Sequence, residues 1–247
     1  ASYLVVPSQA ADGYGDHVLA NGNVAVLQAV GSVSAEQFGG KGDWNGTTGT
    51  DDTEALQALI NYSGITGQPV SLSPSTYLYK SLTIPANATV VGKEFNALSV
   101  MPLGTELPFP APVLKSDGTS GTSILFSHQT NNAGFVNVAF DFNLKTSGDG
   151  ILFDDNGGAG LFRVNNFLIG CLLFGGSDKV CHITEGHKGG YMERTFIRGG
   201  SSFGSITADY CLYNLSEDWK FQYCFFAYAL LRPLYEGGGS SRYSFID

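Results

Sequence analysis

The chain has 247 residues, of which only 14% are charged and 13% aromatic, with 33 glycines and a formal net charge of −9. The acidic balance excludes broad attraction to nucleic acid or an anionic membrane, because phosphate contacts need a basic field, and no apolar run has the length of a transmembrane helix. Sparse charge and about twice the usual glycine favour many short strands and turns around one substantial core.

In chain order, Tyr3-Leu4-Val5-Val6 and Val24-Ala25-Val26-Leu27 flank a Gly/Asn/Asp-rich tract, which predicts an N-terminal arm or module over 1–33. The N-terminus lacks the charged-then-apolar layout of a signal peptide. Further on, Asp51 reads as a helix cap with Glu54 as its capping-box partner; Leu56, Leu59 and Ile60 fall on one face, and Gly64 reads as the stop. A helix this short is marginal alone, so its apolar stripe must cover something. The proline-bounded segments 70–72, 77–84 and 89–91 predict short strands with tight corners, because proline is confined to strand starts and edges. An ordinary helix–strand unit is the alternative. Gly39-Gly40-Lys41-Gly42-Asp43 lacks the spacing and terminal Ser/Thr of a phosphate loop.

The segment from Glu94 to Pro112 reads as an excursion, since four prolines break any helix there. From Ser123 the chain shows weak repeats: Ile124–Phe126, Phe135–Phe140, Phe162–Phe167, Tyr191–Phe196 and Lys220–Phe225. Aligning Phe140, Phe167, Phe196 and Phe225 suggests a solenoid of near-constant coil length with those rings in one inward ladder. Further strand candidates are Gly150–Phe153, Cys171–Phe174, Ile206–Ala208 and Cys211–Tyr213. Reaching Tyr243–Asp247 in mid-rung without a cap gives the expectation of a longer polypeptide, because an end coil needs covering. Cys171, Cys181, Cys211 and Cys224 form no C-x-x-C pair and read as core thiols, with one disulfide as the alternative.

The order Gln37-Phe38-Gly39-Gly40-Lys41-Gly42-Asp43, Thr50-Asp51-Asp52-Thr53-Glu54, amphipathic helix, then proline-bounded strands resembles the opening of pectate-lyase-like β-helices in bacteriophage tailspikes, capsule depolymerases and secreted polysaccharide-cleaving enzymes. The resemblance rests on 34–92 and, through the repeats, on 123–247. It implies an all-β, single-stranded, right-handed parallel β-helix over 34–247, with a short N-terminal capping α-helix over its open end. It further implies a homotrimeric spike in the phage tail of the virion, joined through 1–33 to tail or baseplate proteins, that recognises and depolymerises a bacterial surface polysaccharide such as capsule or O-antigen. A secreted polysaccharide lyase or polygalacturonase-like hydrolase is one alternative, although the surroundings of Asp154-Asp155 do not match the aspartate pattern of the latter. A non-catalytic tail protein or adhesin is another. No family catalytic motif carries over residue by residue.

Glycoside hydrolysis needs two carboxyl groups flanking the bond, and on a solenoid such pairs come from adjacent coils. Asp155, Glu185, Glu193, Glu217 and Asp218 have suitable separations. A lyase needs a base and a group that neutralises a uronate carboxylate; His182, His187, Tyr191 and Arg194 lie together in sequence with Glu185 and Lys188 in a glycine-flanked stretch. Trp219 and Tyr223, with Tyr210, Tyr213, Tyr228 and Tyr235, offer amphipathic rings to sugars. His182 and His187 do not have the i, i+4 spacing of a helical zinc pair. Neither metal nor cofactor is expected, and neither nucleic acid nor membrane insertion.

Overall fold

The structure, a computed structural model, describes residues 2–7, 10–11, 16–28, 32–93, 111–142, 147–155, 164–176, 178–202, 205–216, 218–227, 229–236 and 245–246. Strands of mostly three to five residues, separated by corners, wind into a right-handed parallel β-helix with three sheets. Sheet I stacks Leu82–Ile84, Ile124–Phe126, Ile151–Phe153, Lys179–Ile183, Tyr210–Asn214 and Arg232–Glu236. Sheet II runs from Val33–Ser34 through Val70–Leu72, Thr89–Gly92, Gly134–Val136, Phe167–Ile169, Tyr191–Glu193 and Lys220–Gln222 to Phe245–Ile246. Sheet III stacks Thr76–Tyr79, Val113–Ser116, Ala139–Phe142, Leu172–Gly175, Phe196–Arg198 and Phe225–Ala227.

Alternation fixes what each strand sends inward. In sheet I, Leu82 and Ile84 register with Ile124 and Phe126, then with Ile151 and Phe153, all buried, while Thr83, Leu125 and Leu152 alternate outward. Inside, Phe126 stacks on Phe153 with centroids 4.4 Å apart, and Trp219 meets Phe153 edge-on at 4.8 Å. In four coils sheet II turns into sheet III through one left-handed residue: Asn137, Gly170, Arg194 and Tyr223 have φ between 49° and 60°. The N–H of Asn137, Gly170 and Arg194 donates to the carbonyl of the coil that follows, which stacks the corners. The next residue enters the core as Val138, Cys171, Thr195 or Cys224. The four cysteines are free thiols, three of them buried. Burial pushes the Cys171 and Cys211 thiols up to about 12.

The open N-terminal end is covered edge by edge. Val33–Ser34 pairs with Val70–Leu72 in sheet II, and bridges at Asp43 and Asp51 cover Thr76 and Leu78 in sheet III. Over sheet I lies helix α1, Thr53–Thr66, with Leu56, Leu59 and Ile60 buried as predicted. Its side chains stand in for a missing strand: Gln57 accepts from Thr83 N at 2.9 Å and donates to Thr83 O at 2.7 Å, while Ser63 Oγ accepts from Thr89 N at 2.9 Å. An edge bound in this way no longer offers free ladder groups. Asp52, 2% exposed, accepts from Lys41 N and Gly42 N at 2.7 and 3.0 Å, so the Gly-Lys-Gly loop and the aspartate pair of the signature form one structural staple.

Several sequence expectations need correction. The N-cap is Asp52, not Asp51; Asp51 instead accepts from Thr53 and pairs with Lys80 at 2.7 Å. Gly64 lies inside the helix, where a Cβ would sit 2.7 Å from the Pro85 ring, and the helix ends at Gly67 with φ 67°. Segment 77–84 belongs to two strands of different sheets, and Ile206 lies in a small antiparallel pair with Gly200–Ser202. The phenylalanine ladder is out of register. Phe140 continues as Leu173, Ile197 and Phe226, in steps of 33, 24 and 29 residues. Phe167 falls on sheet II, and Phe196 and Phe225 alternate outward, Phe225 being 46% exposed. Unequal turn lengths defeat any single period.

Ahead of the β-helix, Ser2–Val6, Val24–Gln28 and His17–Val18 form an antiparallel sheet, from which Leu27 packs on the main core and Tyr3 Oη donates to Gln37 O. The excursion predicted over 94–112 lies, up to residue 110, outside the described residues.

Candidate functional site

The outer face of sheet I carries a column of polar and aromatic side chains in successive coils: Leu152, His182, Tyr213 and Tyr235 are in register. A second column, Lys179, Tyr210 and Arg232, runs beside it. From the turn before Ile151–Phe153, Asp149 reaches across. His182 Nδ1 donates to Asp149 Oδ2 at 2.7 Å, and Lys179 Nζ lies 3.5 Å from Asp149 Oδ1. The Asp149 and His182 side chains are 13% and 16% exposed, so the pair is held in a poorly hydrated place. The carboxylate fixes the imidazole tautomer and orientation, which leaves Nε2 enclosed and without a hydrogen-bond partner against the Tyr213 ring.

The tyrosines use their faces on one another. Tyr213 stacks on Tyr235 at 4.5 Å and 5°, meets His182 at 5.3 Å and 83°, and has Tyr210 edge-on at 4.9 Å. Lys179 Nζ lies 5.2 Å from the Tyr213 centroid and the Arg232 guanidinium 5.9 Å from that of Tyr235, both within cation–π range. Partial burial and then the two neighbouring tyrosines push the Tyr213 phenol up, so it stays protonated. The face therefore offers ring edges, phenol hydroxyls and cations, a surface suited to hydroxyls and carboxylates rather than to ring stacking.

Of the predicted residues, Asp155 and Glu185 come together in one turn column leaving sheet I, in adjacent coils. Asp155 N donates to Thr184 Oγ1 at 2.9 Å, and its carboxylate packs against Gly186. Glu185 is exposed and Asp155 half-buried. Asp218, at φ 62°, belongs to a different column, the left-handed residues two positions before each sheet II strand that include Asn132, Asn165 and Gly189, and Glu217 lies outside the described residues. Tyr191 and Glu193 alternate outward on sheet II, around the corner from His182, and Arg194 is the corner residue, 3.2 Å from Glu193. Tyr223, at the next corner, is 57% exposed. The run His182–Arg194 is thus spread over two sheets and a corner.

His187 and Trp219 require a correction: both are buried inside the wall and cannot meet a sugar. Asn166 Nδ2 donates to His187 Nε2 at 2.9 Å and to Thr130 O at 2.9 Å, while Asn166 Oδ1 accepts from Ala133 N. The His187 carbonyl accepts from Ser216 Oγ and Trp219 Nε1, each at 2.8 Å. Burial pulls the His187 imidazole down to about 4, against a smaller upward pull from Asp154. Trp219 lies over Gly190, where a Cβ would come within 2.6 Å of the indole. Among the described residues no three His, Cys, Asp or Glu side chains gather as a metal-binding group. Sequence reasoning missed Asp149, Lys179 and Arg232: Lys179 shares a strand with His182, and the coil register brings Asp149 and Arg232 beside it and the tyrosines.

No family model matches the sequence, and no curated protein is similar to it. Among solved structures the fold is similar to tailspike protein gp49 of Acinetobacter baumannii bacteriophage Fri1, a capsular polysaccharide depolymerase. That match has a TM-score of 0.60 at 15% identity, covering 90% of this chain and 46% of that one. The enzymatically active domain of bacteriophage CBA120 tailspike protein 2 matches with TM-score 0.62 at 11% identity, over 85% and 29% of the two chains. The A-module of the Azotobacter vinelandii mannuronan C-5 epimerase AlgE6 matches with 0.53 at 17% identity, over 78% and 55%. At these identities the likeness is one of fold, and the chain spans less than half the length of either tailspike.

Proposed function

We propose that this chain is the β-helix part of a bacteriophage tailspike that binds a bacterial surface polysaccharide along the outer face of sheet I and cleaves it in the adjoining turns. The observation that carries the reading is the His182–Tyr213–Tyr235 column with Asp149 orienting His182, an ordered polar and aromatic strip on an otherwise structural solenoid. The fold shared with two tailspikes, one of them a capsular polysaccharide depolymerase, supports it. Residues 1–33 would serve as the attachment module to tail or baseplate proteins, and the working spike would be a homotrimer in the virion.

Asp155 and Glu185 are the favoured pair for hydrolysis, because they lie in adjacent coils directly after the strands that carry the strip. One carboxyl group would protonate the leaving oxygen while the other activates water or attacks the sugar, according to their separation in the complex. Glu193, Glu217 and Asp218 are the remaining carboxyl candidates, and Tyr191, Arg194 and Tyr223 would extend substrate contacts around the corner. Elimination is the second reading, favoured by the carboxylate-oriented His182 beside Lys179, and it requires the Tyr213 ring to move off Nε2 for that nitrogen to act as base.

The test is a panel of purified capsular and O-antigen polysaccharides incubated with the chain, read by new reducing ends and by absorbance of unsaturated uronates. Hydrolysis predicts reducing ends without that absorbance, abolished by Glu185→Gln with binding retained. Absorbance that disappears in His182→Ala would establish elimination instead. Binding with no new ends would mark an adhesin, and absence of binding to every glycan would overturn the proposal.

A further inference from the structure

We infer that the glycan taken by the outer face of sheet I is acidic, a polymer bearing carboxylates of the uronate class; this rests on the reading of that face as the glycan site. The chain carries a net charge of −9, so a surface chosen at random is expected to be acidic. This face instead carries Lys179 and Arg232, two coils apart with Tyr210 between them. Of the carboxylates around them, Asp149 already holds His182 and Lys179, Asp178 accepts from Gly148 N at 2.7 Å, and Asp209 lies one coil on from Asp178, at the turn before Tyr210. Glu236 falls in register with Asn214, on the other side of the strand alternation.

Geometry adds the spacing. Lys179 and Arg232 register through Tyr210, two coils apart, and at the ordinary distance between paired strands that is roughly 10 Å. This span suits a polymer running along the solenoid axis with a carboxylate on alternate sugars. The phenols of Tyr210, Tyr213 and Tyr235 stand between and beside the two cations and would take hydroxyls. Contact with Tyr213 and Tyr235 holds each cation in place and limits the side-chain entropy lost on binding.

The experiment measures affinity of the full chain for an acidic capsular polysaccharide and for the same polymer after chemical reduction of its carboxyl groups. Lys179→Gln and Arg232→Gln are measured alongside, with melting temperature as the folding control. Reduction of the carboxyl groups should weaken binding by roughly tenfold or more, the scale of one charge-assisted hydrogen bond. Each substitution should weaken binding of the acidic form more than binding of the reduced form. Equal affinity for both forms, with binding still lost in Tyr213→Ala, would overturn the acidic preference while leaving the glycan site standing. Binding of neither form, nor of any glycan in the panel, would overturn the inference together with the functional reading beneath it.

Discussion

His182 and His187 are close in sequence, but the wall of the β-helix stands between them. His187 faces inward, bonded by Asn166 and packed against Phe153 and Trp219; its polar groups hold successive turns together. His182 faces outward, oriented by Asp149 under a tyrosine stack that contributes nothing to the core. The first region uses hydrogen bonds to make burial tolerable, because unpaired polar groups in the core are costly. The second encloses the Asp149–His182 pair beneath Tyr213, with Arg232 on the outer face beside it. Proximity along a solenoid chain therefore says little about a shared site, whereas equivalent positions in successive coils say a great deal.

Breaking the inner region should have the largest effects. Trp219→Ala removes a wholly buried ring and the donor to the His187 carbonyl, and should cost on the order of 3–5 kcal/mol. Urea unfolding would show it, and a loss within experimental scatter of zero would mean the indole is not core. The corrected register predicts a contrast within one sheet. Ile197→Ala should cost roughly 2–5 kcal/mol and outward Phe225→Ala less than about 1 kcal/mol, with the order reversed if the phenylalanine ladder were real.

A pH series sharpens the same comparison. The folded His187 sits near 4, below its unfolded value of about 6.5, so between those limits the unfolded chain binds more protons and stability rises with pH. Stability should therefore be fully present above pH ~6.5, fall by up to about 3 kcal/mol as the pH drops towards 4, and lose this component in His187→Gln. An unchanged pH profile in that variant would place the titration elsewhere.

Much of the fold was legible because the N-terminal cap is local. Helix stripe, prolines and the Gly-Lys-Gly/Asp-Asp staple lie within one stretch of chain, and each part has its own physical requirement. The coil register was not legible, because turns between sheets differ in length and a three-residue strand with two inward positions tolerates Phe, Leu, Ile or Met equally. Phe140, Leu173, Ile197 and Phe226 form one column of three residue types. The site suffered for the same reason. His182 was singled out, but Asp149 lies a coil away, and nothing local distinguishes Tyr213 on the face from Trp219 in the core.

The central claim is that sheet I's outer face binds and the column behind it only supports, and parallel measurement of melting temperature and glycan affinity for Tyr213→Ala and Asn166→Ala tests it most directly. Tyr213→Ala should lose glycan binding with a stability change below about 1 kcal/mol. Asn166→Ala, which strands several buried partners, should lose roughly 1–3 kcal/mol of stability while the folded fraction binds normally. A Tyr213→Ala protein that binds as well as the original chain would contradict the account.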